Sequence, residues 1–271
     1  MPFDKNDVRR AFRDDEFYPL FQPLVELRTG RLVGFEVLAR WHHAELGPIQ
    51  PDAFIPIIQR SGLINTLTQK ILKRAFAATP MLPSAIRLSV NLSPYQLLDS
   101  TLPGQIGTAA DLGGFPLDRL TIEVAESALL ENAPRAKEVA HELKAMRCRL
   151  SLDDFGTGSS SLNHLQDLPF DELKVDKSFV QAMTESRDRT RIVAAVIGLG
   201  KSFGLTTVAE GVETEEQAAG LNWLGCELVQ GWLYGKPAAA EEIPRMVAAP
   251  PKPCVTIFPE IANAAVHSQI K

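Results

Sequence analysis

The stretch Ser151-Leu-Asp-Asp-Phe-Gly-Thr-Gly-Ser-Ser-Ser161 reads as a short strand that ends in two adjacent carboxylates and runs into a glycine-rich turn. Alternation along Leu150, Ser151, Leu152 and Asp153 puts the leucines on one face and the polar residues on the other. Neighbouring carboxylates repel unless a proton or a cation lies between them, so Asp153 and Asp154 read as a divalent-metal site. Taken alone, the same residues also fit a solvated turn in which Asp154 caps the helix that follows. Gly156, Thr157 and Gly158 give the loop freedom to close or to re-aim Asp154. No lysine follows these glycines as in a Walker A loop, which argues against a nucleoside-triphosphate cradle.

Outward from this stretch the same pattern recurs. Residues 86–92 and 120–125 read as strands in which Ser89 and Asn91, then Thr121 and Glu123, occupy the polar face. Residues 172–176 form a sixth strand carrying Lys174 and Asp176. Residues 205–210 form a seventh ending in Glu210, and 227–230 a brief eighth. At the other end, 18–27 is an apolar run broken by Pro19 and Pro23, which suit an early or edge strand. A compact turn joins it to a strand at 32–41, so the two pair as a hairpin. In that second strand Glu36 is flanked by Phe35 and Val37, and a carboxylate so enclosed is costly unless paired or metal-bound. Helical spacing is expected over 7–15, 52–60, 65–78, 134–146, 187–203, 214–224 and 239–247, and Gly113-Gly114 stops an intervening helical stretch.

Strand and helix in alternation predict a parallel sheet, and eight strands with a helix after most of them predict a barrel. Both faces of a parallel barrel are covered, so a repeated polar face has no water side to meet and must point into the barrel mouth. Glu36, Asn91, Glu123, Asp153, Asp154, Lys174 and Glu210 then converge on one space. Five carboxylates against one lysine is an arrangement that divalent cations stabilise, and all-oxygen ligation suits Mg²⁺ or Mn²⁺ over zinc. With Asp153 bridging, two ions about 4 Å apart would clamp a phosphodiester, with Glu210 accepting the proton of water and Lys174 orienting that water.

The 271 residues, 45% of them hydrophobic, suffice for one barrel, expected over 1–248 with a proline-rich appendage over 249–271. A formal charge of −5 argues against duplex nucleic acid as partner. Three cysteines far apart in sequence fit a reducing cytoplasm. The longest apolar stretch, 192–199, is too short to cross a membrane, and the charged amino terminus lacks a signal core. His42-His43 sits in a polar stretch expected to be an exposed loop, with no zinc spacing.

These residues resemble the EAL-domain phosphodiesterases that hydrolyse the bacterial second messenger cyclic di-GMP. The signature appears as Glu36-Val37-Leu38. It is followed in order by Val90-Asn-Leu-Ser93, Glu123-Val-Ala-Glu-Ser127, Asp153-Asp-Phe-Gly-Thr-Gly158, Leu173-Lys-Val-Asp176, Val208-Ala-Glu-Gly-Val-Glu-Thr214 and Gln230-Gly231. The resemblance implies a modified TIM-type (β/α)8 barrel with an antiparallel first strand. It implies metal ligation by Glu36, Asn91, Glu123 and Asp153, with Asp154 and Glu210 serving a second ion and Lys174 and Glu210 handling the attacking water. Glu126 would anchor the loop from Asp154 to Leu162, which couples the site to dimer contacts. Gln22, Leu38, Arg40, Glu213, Gln230 and Tyr234 fall where the family contacts guanine and phosphate, and the product would be linear pGpG. A homodimer and adjoining sensor modules in a longer parent protein are also implied. Val37 replaces the usual alanine, Ala125 a threonine and Ser159 a tyrosine. The competing readings are a cyclic di-GMP receptor of the same fold without turnover, and a barrel enzyme that uses metal-bound carboxylates on another substrate.

Overall fold

In a computed structural model, residues 3–126, 133–155 and 162–249 are described. A charged helix, α1 (Lys5–Arg13), leads into β1 (Phe17–Glu26) and β2 (Leu32–His43), which pair antiparallel from Phe17 opposite Trp41 onward. Asp4 caps α1 in a reciprocal box with Asp7, starting the helix two residues before the expected position, and Asp15 at φ 61° ends it. The prolines of β1 are tolerated for a directional reason. The Phe21 N–H points away from β2 to Ala238 O, so Pro19 and Pro23 turn their missing donors the same way. On that side β1 pairs with its neighbouring strand only through Val25 and Glu26.

Beyond the hairpin come β3 (Gly47–Ile49), α2 (Pro51–Arg60), α3 (Ile64–Phe76), β4 (Arg87–Leu92), α4 (Leu102–Gly113), β5 (Leu120–Ala125), α5 (Ala133–Ala145) and β6 (Arg149–Phe155). The chain continues through α6 (Leu162–Asp167), β7 (Glu172–Val175), α7 (Lys177–Ala182), α8 (Arg187–Ser202), β8 (Thr206–Ala209), α9 (Glu215–Leu224), β9 (Leu228–Val229) and α10 (Ile243–Ala248). The sheet runs β1-β9-β8-β7-β6-β5-β4-β2, and the β1–β2 pairing closes it into a barrel of eight strands. Every pair from β2·β4 round to β8·β9 is parallel; the pairs made by β1 are antiparallel. This is the modified TIM-type barrel expected from the sequence.

Two short elements were not anticipated. The strand β3 extends the far end of β2 and takes His42 and His43 out of the expected exposed loop. His43 is buried, accepting at Nδ1 from the Glu45 and Leu46 amides and meeting Arg10 Nη2 at 2.7 Å through Nε2. The helix α7 follows β7 directly, capped by Asp176 through the Ser178 amide. Asp176 therefore ends the strand instead of extending the polar face of Lys174.

Apolar residues such as Phe35, Leu88, Ile122, Leu152 and Leu173 face outward into one core shared with the helices. Inside the barrel a separate small cluster of Leu24, Val33, Val208 and Leu228 lies with an ion-pair group in which Glu172 meets Arg87 and Arg149. Gly34 makes the β2–β4 seam possible, since a Cβ there would lie 2.9 Å from Arg87 O. No helix among the described residues is long and apolar enough to cross a membrane. The expected appendage falls, from residue 250, outside the described residues.

Candidate active site

Period-two alternation carries one or two polar side chains to the inner end of each strand, and their contacts show that they meet. Glu36 on β2 accepts from Asn91 Nδ2 of β4 at 2.6 Å through Oε1 and from Gln230 Nε2, just past β9, through Oε2. Gln230 Nε2 also reaches Gln22 Oε1 of β1 at 3.1 Å. Lys174 of β7 holds Glu123 Oε2 of β5 at 2.7 Å, Asp153 Oδ2 of β6 at 3.5 Å and Glu210 Oε1 past β8. Residues on, or just past the end of, all eight barrel strands thus contribute to one constellation, and its central ammonium is only 2% exposed.

One lysine does not balance these acids. Burial pushes the Glu123 carboxyl well above its usual range, and the Glu36 charge adds to the effect. Burial also pushes Glu210 up to about 8, against the attraction of Lys174 and with the charges of Asp153 and Glu36. Burial raises Glu36 too, but Lys174 and the Gln230 and Asn91 hydrogen bonds outweigh it, so Glu36 lies below its usual value. Within the Glu36–Glu123 pair the two shifts run in opposite directions, so Glu36 ionises more readily than Glu123. Lys174 itself is held well above the ordinary lysine value: burial opposes its charge, but Asp153, Glu123, Glu210 and Glu36 prevail.

Asp154 is placed by backbone geometry. The β6–β7 register shifts between Leu152 and Phe155, and within that bulge Asp154 takes φ 57°, its amide donating to Asp153 Oδ1 at 2.8 Å. The turn that re-aims this carboxylate is thus made at Asp154 itself. Burial raises its carboxyl, with the charges of Asp153 and Asp176 adding. Gly156, Thr157, Gly158 and Ser159 lie outside the described residues, as does most of the loop that Glu126 is expected to anchor; Glu126 is buried at the end of β5.

Among the described residues no three His, Cys, Asp or Glu side chains stand close enough to cage a cation as they are, because Lys174 lies between the acids. The donor set nevertheless fits a hard divalent ion. It is all oxygen, and burial together with the charges of neighbouring acids raises the Glu123 and Glu210 carboxyls, a cost that a divalent ion would offset.

A cavity of about 450 Å³ opens over this constellation, lined among others by Gln22, Glu36, Leu38, Asp153, Glu210, Glu213 and Gln230. A family model described as EAL domain matches residues 5–237. The chain belongs to the EAL domain family. An uncharacterized signalling protein of Caulobacter vibrioides is 42% identical over 88% of this chain and 29% of its own length. The cyclic di-GMP phosphodiesterase NbdA of Pseudomonas aeruginosa is 37% identical over 91% of this chain and 33% of its own. This chain therefore spans about a third of such relatives. The solved structure of the PaMucR phosphodiesterase in complex with c-di-GMP is 35% identical, with a TM-score of 0.84 over 88% of this chain and 98% of that one.

In this EAL barrel Val37 is buried on the outward face, so its departure from alanine leaves the acid face unaltered. Leu38 lines both the cavity over the acids and a neighbouring apolar cavity of about 270 Å³ between the barrel wall and α2 and α3, and Arg40 lines the second. Burial lowers the Arg40 guanidinium against the Glu36 charge. Tyr234 is buried at 8% exposure, whereas Trp232, half exposed, lines the cavity over the acids with Lys177 and Asp52. Lys177 and Lys236 stand over the Trp232 ring, 5.5 and 4.8 Å from its centroid. Sequence reasoning missed these three lining residues. The available signal was position, since Lys177 and Trp232 each come shortly after a strand end. Gly231 lets this segment pass, because a Cβ there would sit 2.1 Å from Val212 O.

Proposed function

We propose that this EAL barrel is a metal-dependent phosphodiesterase that hydrolyses cyclic di-GMP to linear pGpG. The carrying observation is the buried contact of Lys174 with Glu210, a proton acceptor and a cation held together at the mouth of a cavity that four further carboxylates border. Similarity to proteins named cyclic di-GMP phosphodiesterases, and to one solved with c-di-GMP, supports the substrate.

Glu36, Asn91, Glu123 and Asp153 would hold one Mg²⁺ or Mn²⁺, and Asp154 and Glu210 a second, with Asp153 serving both. Such ions polarise a phosphodiester and lower the pKa of water. Glu210, as a carboxylate, takes the proton of the attacking water. The water oxygen bonds to phosphorus as the P–O3′ bond breaks, and the leaving 3′-oxygen takes a proton from solvent water, giving a 5′-phosphorylated linear dinucleotide. Lys174 orients Glu210 and offsets charge that develops on phosphate. Glu213 accepts from the guanine N1–H and N2–H edge, Trp232 offers a stacking face, and Gln22, Leu38, Arg40, Gln230 and Tyr234 complete the contacts to guanine and phosphate. The same reading has the chain pairing as a homodimer in a bacterial cytoplasm.

The test is anion-exchange chromatography of the nucleotides after incubation with cyclic di-GMP and Mn²⁺. The expected product is pGpG, lost with chelator and in Glu36→Ala and Glu210→Gln variants that keep their circular dichroism. Tight binding with no product would identify a receptor instead.

A further inference from the structure

Ser151 lies one inward step below Asp153 on β6, sharing its face with Asp153 and Arg149, both of which make contacts inside the barrel. It is fully buried, and its hydroxyl is the one buried side-chain oxygen or nitrogen among the described residues without a hydrogen-bond partner. Such a group in a native interior calls for an explanation, because a buried hydroxyl left unpaired costs free energy comparable to a lost hydrogen bond. The register supplies one. Ser151 stands beside Glu123 on β5 and beside Glu172 on β7, so carboxyl-bearing residues of the same inward face flank the hydroxyl.

Those two carboxylates belong to different layers. Glu123 belongs to the acid constellation and accepts from Lys174 Nζ at Oε2. Glu172 is the hub of the ion-pair group farther in, and its contacts with Arg87 Nη1 at 2.9 Å and Arg149 Nη2 at 3.2 Å are both made by Oε1. Ser89 and Thr121 carry further buried hydroxyls on the same inward face of β4 and β5. The interior between the two charged layers is therefore polar, the kind of setting in which proteins hold ordered water with two to four partners.

We propose that Ser151 holds an ordered internal water that bridges its hydroxyl to the carboxylates of Glu123 and Glu172, and that through it Ser151 acts as a positioning residue for Glu123. The hydroxyl donates to the water or accepts from it, and the water donates to carboxylate oxygen. This ties the orientation of a proposed metal ligand to the ion-pair floor of the barrel, in the way outer-sphere hydrogen bonds orient metal ligands elsewhere. The positioning consequence rests on the proposed metal site; the water does not.

The test pairs crystallography with calorimetry on the full 271-residue chain. A high-resolution crystal structure of the wild type is expected to show a water within hydrogen-bond distance of Ser151 Oγ and of Glu123 or Glu172, lost in Ser151→Ala together with a shift of the Glu123 carboxyl, and kept in Ser151→Thr. Calorimetric titration with Mn²⁺ is expected to give affinity weakened about 10- to 100-fold in Ser151→Ala and within a few-fold of wild type in Ser151→Thr. A wild-type crystal in which Ser151 Oγ bonds directly to protein with no water overturns the inference. A water present, but with Mn²⁺ affinity and Glu123 position unchanged in Ser151→Ala, overturns the positioning role. Failure of the wild type to bind Mn²⁺ overturns the proposed function, while the crystals still decide on the water and on Glu123.

Discussion

Lys174 Nζ stands 2.7 Å from Glu123 Oε2 with both side chains at most 5% exposed, so the barrel interior carries an ammonium at the place where the acids call for positive charge. Removing one partner of a buried pair costs about 3–5 kcal/mol, toward the lower end where the remaining carboxyls can take up protons. Lys174→Met is expected to lower Tm in chelator accordingly. Because the ammonium repels an incoming cation, the same variant is expected to bind Mn²⁺ more tightly than wild type while losing turnover by about 10²-fold or more. Calorimetry and product chromatography on the variant check this; weaker Mn²⁺ binding contradicts it.

A second prediction concerns pH. Glu210 is pushed up to about 8 in the fold, above its ordinary value of 4.5. Its neutral form is therefore the one the folded chain favours, so its contribution to stability is fully present below about 4.5 and is lost as pH rises toward about 8. Divalent metal reverses this by favouring the carboxylate. Mn²⁺ binding at pH 7 is expected to release protons, and metal affinity to rise with pH up to about 8. Titrations in buffers of different ionisation enthalpy measure the released protons; an identical apparent enthalpy in all buffers contradicts the assignment.

Asp154 presents stability and function in opposition. A non-glycine residue at φ 57° carries strain of about 1–2 kcal/mol that glycine avoids. Asp154→Gly is expected to leave Tm equal or higher while abolishing turnover through loss of a second-ion ligand. Thermal denaturation beside a product assay separates the effects, and retained turnover would remove Asp154 from the site.

Trp232, half exposed and flanked by two lysines, is expected to act on affinity alone. Stacking of a base on an aromatic ring is worth about 1–3 kcal/mol, so Trp232→Ala should raise KM for cyclic di-GMP roughly 5- to 150-fold. Its Tm should stay within about 1 °C, as for other surface substitutions. An unchanged KM would place the base elsewhere.

Much of this was legible in the sequence because barrel closure converts period-two alternation into convergence. Glu36, Asn91, Glu123, Asp153, Lys174 and Glu210 could be placed together knowing only their faces and strand ends. What escaped depends on backbone detail that alternation does not encode. The bulge that turns Asp154 breaks the period itself. The strand β3, which buries His43, is three residues long and reads as a polar turn. Trp232 reaches the cavity from a turn and Lys177 from the first residue of α7, a helix too short to show a periodic signal. The role of Lys174 as a stand-in for cation charge emerges only from its three distances.

The central claim is that these carboxylates share a mouth in order to bind divalent ions against a phosphodiester. Anomalous diffraction at the manganese edge, from crystals of the chain grown with Mn²⁺ and cyclic di-GMP, tests it most directly. The account predicts two peaks enclosed by Glu36, Asn91, Glu123, Asp153, Asp154 and Glu210, with a phosphate of the nucleotide beside them. A map with nucleotide bound and no manganese among these side chains would contradict it.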